Sequence, residues 1–262
     1  FRGHSYCVLI GMAGAVKKDA ILLFDVDGTL TMPRQKIDTK MREFLLEVRS
    51  KVPLAVVGGS DLAKIVEQLG DSLEDVLTRF DFVFSENGLV GFHNEKAFPV
   101  QSIKEKLGEE RLQRLINFTL RQFSEIELPV KRGNFIEFRN GMLNVSPIGR
   151  SCSQAERLQF AEYDAHHSVR AKLVEQLKEF TKGWDLNICI GGQISIDIFP
   201  NGWDKTFCLQ YLHDFDKVYF FGDKTAPGGN DYDIFVSPRT IGYSVSDPYD
   251  TRKQVTELLK AM

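Results

Sequence analysis

Continuous apolar runs punctuate the first third of the chain, with amphipathic stretches between them. Residues 20–24 are apolar without a break and of strand length, which reads as a strand buried on both faces. Asp38 then stands as a helix N-cap, and Met41, Phe44, Leu45 and Val48 recur at helical spacing up to residue 50. Residues 53–57 give a second apolar strand that ends in Gly58-Gly59-Ser60; residues 61–69 read as helix and 80–84 as a third strand. This βαβαβ order predicts a parallel, doubly wound sheet, in which ligands collect at the carboxyl ends of the strands.

The middle of the chain has another rhythm. Helical periodicity over 109–123 leads to two strand-like runs, 134–139 and 142–145, around Asn140-Gly141, a strong hairpin signal. A long polar helical stretch, 153–182, carries Val169, Leu173, Leu177 and Phe180 on one face. Residues 186–190 and 194–199 flank Gly191-Gly192 as a second hairpin, and hairpins make an antiparallel sheet. The last part returns to the first pattern: a helix from Asp204, an apolar strand over 218–221 ending at Gly222-Asp223, a strand over 240–245 and a terminal helix. The predicted class is α/β: a Rossmann-like parallel-sheet core from residues 20–95 and 201–262, with an α+β cap containing an antiparallel sheet inserted at 96–200. The crossovers fall near 95–99 and 200–203.

Composition narrows the partners more than the fold. The chain has 262 residues, 43% of them hydrophobic and 26% charged, and a net charge of −3, which gives no reason to expect nucleic acid or an anionic membrane as partner. Cys7, Cys152, Cys189 and Cys208 are scattered, so neither a zinc site nor a disulfide framework is suggested, and a reducing cytoplasmic compartment fits best. Residues 1–19 read as an N-terminal extension. The mildly apolar part, 6–16, is too short and glycine-rich for a signal peptide; Met12 looks like a start, and residues 1–11 are expected to be dispensable. No stretch approaches the length of a membrane-spanning helix.

The chemistry concentrates at the strand ends. Asp25-Val26-Asp27-Gly28-Thr29 follows the first strand and forms one compact anionic cluster suited to a hard divalent cation, Mg²⁺ above all. With the cation bound, Asp25 can attack a phosphoryl group as nucleophile, and Asp27 can serve as general acid/base. The second strand end gives Ser60, to hold a phosphoryl oxygen; Lys205 can neutralise the phosphate and the nucleophile; Asp223 can supply another oxygen to the cation, with Asn230 and Asp231 in support. Taken singly, Ser60 is a helix N-cap, Lys205 a surface lysine and Asp223 a turn residue; it is their joint order that carries weight. In the second hairpin, alternation puts Ser195 and Asp197 on one face and Ile194, Ile196 and Ile198 on the other. Arg139 and Arg150 are expected near the polar face and Arg157 begins the following helix; arginine suits phosphate, though an exposed arginine usually does nothing specific.

The order Asp25-Val26-Asp27-Gly28-Thr29, Ser60, Lys205, then Gly222-Asp223 with Asn230-Asp231, resembles the four motifs of the haloacid dehalogenase superfamily, with the insertion between the second and third as in its branch with an α+β cap. The stretches FDVDGTLT (24–31), VGGS (57–60), FSENG (84–88), FRNGMLNVSPIGR (138–150) and FGDKTAPGGND (221–231) narrow this to a resemblance to the eukaryotic phosphomannomutases, covering nearly everything from residue 21 onward. The resemblance implies interconversion of mannose 6-phosphate and mannose 1-phosphate through an aspartyl-phosphate at Asp25, with a hexose 1,6-bisphosphate of mannose or glucose as activator and intermediate. The product supplies GDP-mannose synthesis and protein glycosylation. It further implies Mg²⁺ at Asp25, the Asp27 backbone carbonyl and Asp223, sugar-phosphate binding by Arg34, Arg139, Arg150, Arg157 and Ser195, an Asp197 that engages the sugar, and a homodimer formed through the cap. A second cation site matching Phe235, residue 237 and Thr240 is expected to be weaker, because the family usually has an acidic residue where this chain has Ser237. Lys131 and Arg132 match no family ligand and read as surface charge. The rivals are a sugar-phosphate phosphatase or glucose-1,6-bisphosphatase on the same core, and a non-catalytic binding protein on the same fold.

Overall fold

The continuous apolar runs and the alternating ones end in separate sheets. A computed structural model describes residues 18–262, so the expectations for residues 1–17, including the Met12 start, lie outside the described residues. In chain order the first elements are β1 (Lys18–Phe24), α1 (Thr39–Arg49), β2 (Leu54–Val57), α2 (Leu62–Leu69), α3 (Leu73–Leu77), β3 (Phe82–Ser85), β4 (Val90–His93) and β5 (Lys96–Ala97). The middle holds α4 (Ile103–Leu107), α5 (Glu109–Glu125), β6 (Ile136–Phe138), β7 (Leu143–Val145), α6 (Gln154–His167), α7 (Val169–Phe180), β8 (Leu186–Gly191) and β9 (Ser195–Pro200). The chain closes with a 3₁₀ helix (Lys205–Leu212), β10 (Phe215–Gly222), α8 (Tyr232–Phe235), β11 (Thr240–Ser244) and α9 (Pro248–Ala261).

The larger sheet has the order β11-β10-β1-β2-β3-β4-β5; its first five strands run parallel, and β4 and β5 are added antiparallel at the edge. Alternation along β1 explains why its residues 20–24 are apolar without a break. Leu22 and Phe24 pack with Met41, Leu45 and Val48 of α1 and Val255 of α9, while Ile21 and Leu23 pack with Cys208 and Leu212 of the 3₁₀ helix and Ile234 of α8. A strand covered on both faces has no polar side to show.

The smaller sheet, order β6-β7-β9-β8, is antiparallel throughout. One face carries Leu143, Val145, Ile188, Ile196 and Ile198 against α5 and α7, through Leu112, Leu115, Phe123, Leu173 and Leu177. Ile194 departs from the expected apolar row: it precedes β9 and joins Ile148, Cys152 and Phe160 in a separate cluster. On the other face Glu137, Asn144, Asp197 and Cys189 lie directly opposite one another across four strands.

Four local departures stand out. The stretch expected as one helix over 153–182 is two, because Ser168 takes a left-handed φ of 54° and Asp164 Oδ1 accepts from the Arg170 backbone N–H at the break. The segment after Asp204 is wound as 3₁₀ rather than α. β5 pairs with β4 through Phe92 and Ala97, so the larger sheet runs two residues beyond the boundary expected at 95, and β1 begins at Lys18, inside the expected extension. Among the described residues, no helix is long and apolar enough to cross a membrane.

Candidate active site

The ladder ends where the chemistry begins. The Asp25 backbone N–H still bonds to the Phe221 carbonyl at 2.9 Å, after which the chain turns: Gly28 N–H donates to Thr31 O at 2.7 Å, and Leu30 N–H to Val26 O at 2.9 Å. Gly28 holds the turn with φ +79°, and a Cβ there would lie 2.4 Å from Asp223 Oδ2. Glycine is thus required both for the backbone and for the close approach of the neighbouring strand end.

Lys205 is a buried cation between two carboxylates: Nζ donates to Asp25 Oδ1 and to Asp231 Oδ1, the latter at 2.5 Å. Burial pushes the Asp25 carboxyl up to about 6; Lys205 pulls it back and Asp231 adds to the rise. For Lys205, burial opposes the charge, but the two carboxylates outweigh it and hold the ammonium above its usual range. Burial also raises Asp223, and its Oδ1 is buried with no hydrogen-bond partner among the described residues.

Carboxylate oxygens of Asp25, Asp223 and Asp231 all lie within 4.8 Å of one another. Among the described residues, Lys205 is the one cation bonded to this group of three acidic side chains, with Lys224 acting on Asp223 from beside it, and a buried acceptor without a donor calls for a partner. An all-oxygen donor set of this kind fits a hard divalent cation such as Mg²⁺.

Asp27 is held differently. Its Oδ1 accepts from the Arg34 backbone N–H at 2.7 Å and from Gln68 Nε2 at 2.8 Å. Asp25, Asp27, Ser60, Gln68, Lys224 and Asn230 line one cavity of about 130 Å³. Ser60 is not the N-cap that its position suggests: Asp61 caps α2 by accepting from the Lys64 N–H at 2.9 Å, which leaves the Ser60 hydroxyl clear of that role. The Arg34 side chain is exposed, and its backbone is what touches Asp27.

The smaller sheet assembles a second cluster on its polar face. Glu137 accepts from Arg139 Nε at 3.2 Å and Nη2 at 3.3 Å, and pairs with Arg150 Nε at 2.5 Å. Arg150 also donates to Asn144 Oδ1, and Asn144 Nδ2 donates to Asp197 Oδ1 at 2.5 Å. Burial opposes ionisation of Glu137, but Arg139 and Arg150 outweigh it and hold the carboxyl below the usual range; burial pushes Asp197 up. Arg157 Nη2 donates to the Arg150 carbonyl at 3.1 Å, and Ser195 Oγ donates to Gly191 O at 2.8 Å. A cleft of about 410 Å³ has Ser60, Asp61 and Lys64 on one side and Glu137, Arg139 and Asn140 on the other, and Ser60 also lines the cavity of Asp25 and Asp27. Asn140 Nδ2 spans it to Glu86 Oε1 at 3.3 Å. Phe235, Ser237 and Thr240 stay in their own turn, where Thr240 Oγ1 donates to the Ile234 and Ser237 carbonyls and Ser237 Oγ accepts from the Arg239 N–H.

A family model described as eukaryotic phosphomannomutase matches residues 41–261. The chain belongs to that family. It is 60% identical over 253 residues to a probable phosphomannomutase of Caenorhabditis elegans, covering 96% of this chain and all of the relative. A phosphomannomutase of Spinacia oleracea is 54% identical over 244 residues, covering 93% of this chain and 97% of the relative. A solved trehalose-6-phosphate phosphatase of Aspergillus fumigatus superposes with a TM-score of 0.58 at 14% identity, over 93% of this chain and 94% of the other. A haloacid dehalogenase-like hydrolase from Bacteroides thetaiotaomicron does so with a TM-score of 0.52 at 15% identity, over 83% and 85%. At these identities the likeness is one of fold, the α/β fold of haloacid dehalogenases.

In this phosphomannomutase chain, three residues take places beyond those that the sequence assigned them. Asp231, expected as support, contributes a carboxylate oxygen to the acidic cluster itself. Glu137 joins both arginines; a signal for it existed, because residues two apart on a strand share a face and Glu137 stands two before Arg139. Gln68 reaches Asp27 from the last turn of α2, and no sequence signal separated it from an ordinary helix residue.

Proposed function

We propose that the protein is a phosphomannomutase interconverting mannose 6-phosphate and mannose 1-phosphate, with residues 18–97 and 201–262 as catalytic core and 98–200 as cap. The observation that carries this reading is the single cleft lined by Ser60 on one side and Arg139 on the other. A hydrolase needs one anion site and a water; a mutase needs a second place for phosphate while the first is at the nucleophile.

In the proposed cycle, Asp25 carries a phosphoryl group taken from a hexose 1,6-bisphosphate of mannose or glucose. Asp27 accepts the proton of the sugar hydroxyl as that oxygen bonds to phosphorus. The bond from phosphorus to Asp25 breaks, and its electron pair returns to the carboxylate. The bisphosphate turns round, and Asp25 attacks its other phosphorus. The sugar oxygen leaves with the bonding pair and recovers the proton from Asp27, so the cycle balances. Lys205 offsets charge on Asp25, Ser60 holds a phosphoryl oxygen, and Arg34, Arg139, Arg150, Arg157 and Ser195 bind the distal phosphate, with Asp197 on the sugar. Mg²⁺, held by Asp25, the Asp27 carbonyl and Asp223 beside Asp231, supplies the positive charge that lets a carboxylate meet a phosphate anion. Closure of the cap excludes water from the phosphoaspartate. The remaining parts of the reading are a cap-mediated homodimer, a cytoplasmic place, supply of mannose 1-phosphate for GDP-mannose and glycosylation, and a weak second cation site at Phe235, Ser237 and Thr240.

The test is Asp25→Asn in a coupled assay for mannose 1-phosphate with a hexose bisphosphate, beside phosphate release. The parent should isomerise faster than it releases phosphate, and the variant should do neither while melting as a folded protein. Retained isomerisation would refute the assignment of Asp25, and phosphate release outpacing isomerisation in the parent would favour a phosphatase.

A further inference from the structure

Gln68 is only 5% exposed, yet its amide is half satisfied. Nε2 donates to Asp27 Oδ1 at 2.8 Å, while Oε1 is buried with no partner among the described residues. Reversing the amide would set Oε1 against a carboxylate oxygen, so the N–H on Asp27 is the arrangement that bonds. An orphaned buried acceptor costs stability, and an apolar side chain of similar shape would avoid that cost. Folding alone therefore does not account for a glutamine here. The backbone adds to the connection, since the Gln68 carbonyl accepts from the Ile37 N–H at 2.8 Å, tying α2 to the segment that bears Arg34.

The consequence falls on Asp27. Its Oδ1 takes both donors, Gln68 Nε2 and the Arg34 N–H, the latter delivered by a left-handed φ of 62°. Its Oδ2 accepts no hydrogen bond from the described residues. The two oxygens are equivalent, so whichever one occupies that place takes both donors and the other is left free. We propose that Gln68 is a positioning residue for proton transfer: by holding Oδ1 it leaves Oδ2 as the oxygen that takes the proton from the sugar hydroxyl and returns it. This rests on the reading of Asp27 as the proton carrier.

The experiment uses the full chain with Gln68→Met, which keeps the shape without a donor, and Gln68→Glu, which opposes an acceptor to Asp27, each alone and combined with Asp27→Asn. Gln68→Met should lower kcat about 10- to 100-fold, as loss of a group orienting a catalytic one does, with KM for mannose 1-phosphate within about twofold and an unlowered melting temperature. Gln68→Glu should fall further, and neither change should cost anything more in the Asp27→Asn background. Hydrolysis of p-nitrophenyl phosphate runs the same cycle without a sugar, because water attack on phosphoaspartate also needs a base. That arm reads the role of Gln68 even where the parent fails to isomerise mannose phosphates, so the two readings fail separately. An undiminished kcat in Gln68→Met would overturn the proposal. So would a loss that persists in full on top of Asp27→Asn, or one that merely follows a drop in melting temperature.

Discussion

Replacing Gly28 by alanine tests the acidic cluster without touching a charge. The backbone there has φ +79°, which costs an alanine about 1–2 kcal/mol of stability. The larger effect is local. The methyl carbon would lie 2.4 Å from Asp223 Oδ2, whereas Cβ contacts essentially never fall under 3.0 Å, so the carboxylate must retreat by about 0.6 Å, the difference between the two. Mg²⁺ demands oxygens at about 2.0–2.1 Å in near-ideal geometry and does not follow such a shift. Misplacing a group that orders a metal site typically costs about 10- to 100-fold in metal affinity, or about 1.4–2.7 kcal/mol. The half-activating Mg²⁺ concentration in the isomerase assay should therefore rise by that factor, and calorimetric titration of Mg²⁺ should show the same. A melting curve separates this from unfolding, because the strain alone leaves a folded protein. If Gly28→Ala folds and its half-activating concentration stays within about threefold of the parent's, the claim that an absent side chain makes room for a cation ligand is wrong.

Lys205→Met should be harsher than an ordinary surface change, since it leaves Asp25 and Asp231 buried and face to face; unpairing a buried charge costs about 3–5 kcal/mol. Thermal melts should show that loss, with saturating Mg²⁺ restoring part of it, and a variant melting like the parent without cation would contradict the pairing. Asp75 provides a pH test remote from the site: hydrogen bonds from Arg79 at 2.9 and 3.0 Å hold its carboxyl down at about 2, against an ordinary 3.8. Its folded value is depressed, so the associated stability, about 2 kcal/mol, is present above pH 4 and lost as pH falls through 2. Asp75→Asn should accordingly unfold at lower urea than the parent at pH 7, and the gap should narrow below pH 4; a constant gap would refute the linkage.

The parallel strands of the larger sheet were legible because burial on both faces leaves a continuous apolar run, as in β1 and β2. β4 and β5 were not: four residues of mostly intermediate burial and two exposed ones offer neither a run nor an alternation, and only the pairing of β4 with β3 and of β5 with β4 makes them strands. The break at Ser168 was hidden for a related reason, since a single left-handed residue in a polar helical stretch leaves the apolar spacing on either side intact. At the site, the residues that carry their own chemistry in a tight motif, Asp25, Asp27 and Asp223, could be found from sequence. Glu137 left only the indirect signal of standing two residues before Arg139, and Gln68 left none, because it matters only through Asp27, 41 positions away.

Glu137 deserves a different description from the one its salt bridges suggest. The two guanidiniums on the polar face are not bare; each already has an anion of the protein's own. In the proposed reaction, a sugar phosphate arriving there enters an exchange rather than a capture, trading places with a tethered carboxylate that never diffuses away. The net attraction is then a difference between two ion pairs, smaller than either. If the bisphosphate must let go and turn round once in every cycle, as proposed, a tethered competitor at the release site shortens its stay.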